Sequence, residues 1–273
     1  MRSILALLLL GVAACSSDNF ASTVDADTDS SAPDVGTDGP IPDAGSKGFC
    51  EQQAAGYALC DDFDTTGDGA TGINSAWVPS ISGKGTAARV NTLFLSSHYG
   101  LETTTAGGSS SGSLYRNPNV AHANKFSLSF AANIDPGCVE AGSGVALPTV
   151  VGFAGQSTYF LVLAMNKNLV AFSEVQSTPD PDGGAATKTA NNILGTAPWP
   201  TGAWVRVVFD VDFATKQGTL RLDGKVVETP ALATASVGGL TFPGVALGTS
   251  TEAPRVSGCR ITYDNVVFRI NGQ

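Results

Sequence analysis

Charge and metal-binding side chains are both scarce in this chain. Only 14% of its 273 residues are Asp, Glu, Lys or Arg, and the two histidines, His98 and His122, stand in no ligand spacing. None of the five cysteines forms a C-x-x-C pair, which argues against a zinc site of the usual pattern. The six glutamates, Glu51, Glu102, Glu140, Glu174, Glu228 and Glu252, lie far apart, so no strand carries a glutamate pair. The net charge is −9 and there is no basic stripe, which makes nucleic acid and anionic membrane surfaces poor partners. Helical periodicity is almost absent. One long apolar run exists, Ile4 to Ala14. At about 1.5 Å per residue it covers roughly half of a ~30 Å hydrocarbon core, too little for a lasting span.

That run follows Arg2 and ends in small residues before Cys15, the pattern of a secretory signal peptide over residues 1–14. Val12, Ala13, Ala14 and Cys15 resemble the bacterial lipobox, which implies lipidation of Cys15 as the first mature residue; an ordinary peptide cleaved after Ala14 is the alternative. Ser16, where an Asp would signal inner-membrane retention, resembles the outer-membrane pattern. The implied location is the bacterial cell envelope, with membrane contact through the lipid anchor only. Residues 15–48 hold seven Asp, one Lys and scattered apolar residues. Such a segment cannot bury enough apolar area to offset its ordering entropy, so it reads as a disordered tether. Its reach as a flexible coil is about 30 Å.

The remaining cysteines, Cys50, Cys60, Cys138 and Cys259, form an even set in an exported chain, where disulfides are the default. Cys50 with Cys60 would close a short loop at the domain entrance. Cys138 with Cys259 would tie a central connection to the last strand. Residues 49–273 suit one all-β domain, because alternation recurs between clusters of Gly, Pro, Asn and Asp. In KFSLSFAANI, Phe126, Leu128, Phe130, Ala132 and Ile134 share a face. In WVRVVFDVDF, Val205, Val207, Phe209, Val211 and Phe213 do, leaving Arg206, Asp210 and Asp212 on the other. TYFLVLAM and NLVAFSEV predict a hairpin. GTLRLDGKVVE predicts another, with Asp223-Gly224 as a type I′ turn or Gly224-Lys225 as type II′. Either register keeps Leu220, Leu222 and Val227 on one side.

The order WVRVVFDVDF, GTLRLDGKVV, LTFPGVALG and ITYDNVVFRI resembles the second half of a concanavalin A-like, laminin-G-like sandwich. CDDFD, Cys60 to Asp64, resembles its first strand, and Trp77 its early tryptophan. The resemblance implies a jelly-roll of two antiparallel sheets. It also implies calcium near the junction of first and last strands, with Asp62, Asp64 and Asp264 as ligands in a structural role, while Asp264 serves equally well as an acceptor for backbone donors at the sheet edge. DTTGDG lacks the spacing of an EF-hand loop.

Hydrolases on this fold resemble one another in an E-x-D-x-x-E strand motif, because retaining hydrolysis wants two carboxyls about 5 to 5.5 Å apart. The motif is missing, and Asp210 with Asp212 is the one strand-borne carboxylate pair. A G-x-S-x-G string at Gly108, Ser110 and Gly112 sits in a Ser/Gly run without the strand and helix of a nucleophile elbow. Trp199, between Pro198 and Pro200, is the candidate aromatic platform for sugar, with Tyr99 and Tyr115 as weaker ones; the alternative for Trp199 is a packing role that caps the sandwich edge. The sequence thus predicts a surface-tethered, lectin-like module that binds carbohydrate or another envelope or extracellular ligand without catalysis. The alternative is a structural or adhesion lipoprotein making protein contacts, and a glycan-active hydrolase is a third reading.

Overall fold

The computed structural model describes residues 48–270 except 54–55, 65–71, 97, 107–109, 140–143, 167, 183–185, 234–237 and 252–257. Residues 1–47, with the expected leader, lipidation site at Cys15 and most of the expected tether, lie outside the described residues, as does nearly all of DTTGDG. A single helical turn, α1 (Phe49–Gln52), precedes sixteen strands that form two antiparallel sheets of eight.

In the first sheet the order is β14 (Lys225–Glu228), β13 (Gln217–Leu222), β12 (Trp204–Asp212), β7 (Lys125–Ile134), β16 (Cys259–Ile270), β4 (Gly100–Thr105) and β3 (Thr86–Val90). Strand β1 (Leu59–Asp61) also pairs with β16. The second sheet runs β11 (Thr187–Pro198), β10 (Leu169–Thr178), β9 (Ser157–Asn166), β8 (Gly144–Ala154), β15 (Leu240–Thr251), β5 (Ser110–Arg116) and β2 (Val78–Ser82). Strand β6 (His122–Ala123) pairs with β15. The architecture is the expected all-β jelly-roll sandwich.

Period-two patterning builds the core. Phe126, Leu128, Phe130, Ala132 and Ile134 of β7, and Val205, Val207, Phe209 and Val211 of β12, face inward and are buried. Phe126 packs against Phe209, Phe213 and Phe268, while Phe172 of the opposite sheet meets Phe209. Strands β9 and β10 form the expected hairpin. Asp223 and Gly224 both have positive φ, 48° and 79°, and Leu222 pairs with Lys225, so the type I′ turn is the one adopted. Leu220 and Leu222 are buried and Val227 packs on the core.

Both disulfides join the expected partners. Cys50–Cys60 holds α1 to β1, and Cys138–Cys259 spans 121 residues to anchor a 3-10 turn at Pro136–Cys138 to the start of β16. The longer loop removes more freedom from the unfolded chain. At one side of the sandwich the chain passes from β2 in the second sheet to β3 in the first. There the backbones approach so closely that a Cβ on Gly112 would overlap the Thr86 carbonyl, and one on Gly85 the Ser111 carbonyl. Ser110 and Gly112 of the G-x-S-x-G string therefore belong to strand β5 at this crossing, and Gly112 is a packing residue.

Because its neighbour is backbone, Gly112→Ala can be relieved only by parting the sheets. Overpacking typically costs about 1–3 kcal/mol, and this variant is expected at or above the upper end, read as a lowered unfolding midpoint in urea. An unchanged midpoint would refute the close approach.

Candidate functional site

The inward demand on β7 and β12 sends their other residues to the outer face of the first sheet. Register then composes that face from strands distant in sequence. Thr219 of β13 pairs with Asp210 of β12, Asp210 with Ser127 of β7, and Ser127 with Arg269 of β16. The next row is Gln217, Asp212 and Lys125. Together with Thr215 these side chains line a hollow of about 330 Å³ over Phe126 and Val211. Asp210 and Asp212 share one face, as their i, i+2 spacing predicts.

Each aspartate already has a cation. Lys125 Nζ lies 2.7 Å from Asp212 Oδ2, and Arg221 pairs with Asp210. The hydrogen bond from Lys125 is the main reason the Asp212 carboxyl is held below its ordinary range, and the Thr215 and Ala214 amides add to it. Two-carboxyl glycoside hydrolysis needs one partner protonated. Asp212 is held toward its ionised form, which suits it to accept hydrogen bonds and not to serve as the general acid. Arg269 differs from the other cations. Its Nη2 donates to the neutral Gln53 Oε1 at 3.2 Å, and among the described residues no carboxylate lies within ion-pair distance. Lys125, Gln217 and Arg269 escaped the sequence reading; an outward charged residue on alternating strands is the only local signal, and it names no partner.

The aromatic candidates do not come together. Trp199 is 1% exposed and its Nε1 donates to the Ala164 carbonyl at 2.9 Å. This corrects the expectation of a platform: the ring packs in the core, where the indole N–H must find an acceptor. Tyr99 is half-buried beneath the Arg89 guanidinium, which stands 3.3 Å from the ring centroid and also donates to the Phe63 carbonyl. Tyr115 lies on the outer face of the second sheet, packed with Val151, Phe160, Val175 and Ala246, its ring over Gly244. Burial raises its pKa.

The three aspartates expected near calcium each accept backbone amides. Asp62 accepts the Cys50 and Asp64 amides, at 3.2 and 3.3 Å, and Asp64 accepts the Tyr99 amide at 3.2 Å. Asp264 is fully buried and accepts the Leu95, Ser96 and Asn265 amides at 2.8, 2.8 and 2.7 Å. Backbone amides thus take up part of the acceptor capacity of all three carboxylates and account for their placement as fasteners of local backbone. Among the described residues, no group of three or more His, Cys, Asp or Glu is arranged to hold a metal ion. Asp61, passed over in the sequence, is the centre of its own cluster. It is buried and receives Trp77 Nε1 at 2.7 Å, Arg116 Nη1 at 3.1 Å and the Phe63 amide at 2.9 Å.

No family model matches the chain, and no curated protein matches it. Solved structures do. An endo-β-1,4-glucuronan lyase from the fungus Trichoderma reesei is similar with a TM-score of 0.58 at 14% identity, over 72% of this chain and 92% of that one. Cip1, a cellulose-induced protein, is similar with a TM-score of 0.52 at 12% identity, over 77% and 96%. These likenesses establish the fold. They also correct the expectation of a chain without catalysis: that expectation rested on the missing E-x-D-x-x-E motif, and a lyase is built on the same sandwich. The motif bears on one hydrolytic route and does not speak to elimination chemistry.

The buried Asp264 gives a pH signature. Burial, first, pushes its pKa from 3.8 to about 7, against the pull of the three amides and with the Asp64 charge adding to the rise. Between these values the folded chain holds a proton that the unfolded chain has lost, so the stabilisation from Asp264 is full below about pH 4 and declines as pH rises through about 7. Compared with Asp264→Asn, which does not titrate, the wild-type unfolding temperature is expected to lose ground over that window and then level off. A difference between the two that is independent of pH would rule this out.

Proposed function

We propose that the chain is a glycan-recognising protein of the bacterial cell envelope, its sandwich carried on the acidic tether from a lipid at Cys15. The saccharide enters the hollow on the outer face of the first sheet. The observation that carries this reading is the composition of that hollow. Acceptors (Asp210, Asp212), donors (Lys125, Arg269) and groups that do both (Ser127, Thr215, Gln217, Thr219) line one hollow. Sugar hydroxyls donate and accept together and are met by such a mixture. The hydrogen bond from Lys125 favours the charged form of Asp212, which suits it to strong, charge-assisted hydrogen bonds. The resemblance to concanavalin A-like domains supports the same reading.

A second reading adds cleavage of the bound chain. It is favoured by the likeness to the glucuronan lyase, whose substrate is a polysaccharide.

One assay addresses both. The chain from Ser16 onward, with disulfides formed, is titrated with a panel of neutral and acidic polysaccharides, while ultraviolet absorbance follows any unsaturated ends that elimination creates. Binding to one glycan class is expected, weakened about 10- to 100-fold by Asp210→Ala, because a hydrogen bond to a charged group contributes about 1.5–3 kcal/mol. The variant should unfold near the wild-type temperature, since the Asp210–Arg221 pair is an exposed one. Silence from a folded chain across the panel would overturn the glycan reading and favour protein contacts.

A further inference from the structure

Resting on the glycan reading, we propose that the hollow selects a saccharide bearing a carboxylate, a uronic acid unit, with Arg269 as its anchor. The support is an imbalance of charge. Two cations line the hollow, Lys125 from β7 and Arg269 from β16, and a third, Arg221 from β13, pairs with the hollow's Asp210. Two carboxylates, both from β12, neutralise Lys125 and Arg221. Arg269 is left with the neutral amide of Gln53, which uses one of its N–H groups.

That remainder decides the ligand. The guanidinium offers five N–H donors in a planar fork that matches the two oxygens of a carboxylate. Arg269 is already half-buried. A neutral sugar lying over it would return only single hydrogen bonds from its hydroxyl oxygens, whereas a carboxylate returns a charge-assisted, two-pronged pair that offsets more of the lost hydration. Asp210 and Asp212 are not a barrier to the acid, because Arg221 and Lys125 cancel their charge at close range.

Position supports the same choice. Arg269, Ser127 and Asp210 follow one another across β16, β7 and β12 in direct register. With strands about 4.8 Å apart, Asp210 lies about 10 Å from Arg269. A carboxylate on the arginine therefore leaves the hydroxyls of the same or the next sugar unit over Ser127 and Asp210.

The test uses the chain from Ser16 onward, with oligoglucuronate and a neutral cello-oligosaccharide of equal length as probes, in calorimetric titrations at low and high salt. Oligoglucuronate is expected to bind at least 10-fold more tightly, with affinity falling as salt rises. Arg269→Gln should remove that preference, bringing the acidic probe down to the neutral one without lowering the unfolding temperature. Arg269→Lys, which keeps the charge but loses the fork, should retain part of it. Equal binding of the two probes, or uronate binding that ignores Arg269→Gln, would overturn the uronate assignment and leave the glycan reading standing. Failure of both probes and of the wider panel would overturn both.

Discussion

The inward packing of β7 and β12 is the constraint on which the other features depend. Phe126, Leu128 and Phe130 on one strand, and Val205, Val207 and Phe209 on the next, must all lie against the second sheet. A one-residue slip of either strand would turn its whole set to water, so register is held by several large side chains at once. The same register fixes what appears on the opposite face. Asp210 stands beside Ser127, and Asp212 beside Lys125, because Phe209 and Val211 stand beside Leu128 and Phe126. The hollow is in this sense the reverse side of the core, and its polar order is as firmly set as the packing beneath it.

Buried polar groups divide into two kinds by what surrounds them. Asp61 combines a buried carboxylate with an arginine, an indole N–H and an amide, which joins β1, β5 and the loop before β2. Asp264 has three amides and the Ser96 hydroxyl but no cation among its hydrogen-bond partners, and burial raises its pKa. Both lie where the first and last strands meet, the place that carboxylates in related sandwiches suggested as a metal site. Here backbone donors hold the segment around Leu95 and Ser96 to the last strand.

Strands, hairpins and disulfides were legible in the sequence because their signals are simple: alternation, an Asp-Gly turn, and an even count of cysteines in the domain. The hollow was half legible. Asp210 and Asp212 declare themselves by spacing on one strand, but Lys125, Thr219 and Arg269 join them only through the pairing of four strands spread over 145 residues of numbering, from 125 to 269. Trp199 misled for a physical reason. Prolines on both sides suit an exposed, stiffened ring and a ring pinned into the core equally well, and the acceptor that decides between them, the Ala164 carbonyl, lies 35 residues away.

The central claim is that the outer face of the first sheet meets the ligand. Backbone amide NMR of the isotopically labelled chain during a saccharide titration tests it most directly. The account predicts that shifts concentrate at Lys125–Ser127, Asp210–Asp212, Gln217–Thr219 and Arg269. Shifts gathered around Tyr115, Phe160 and Ala246, on the outer face of the second sheet, would contradict it.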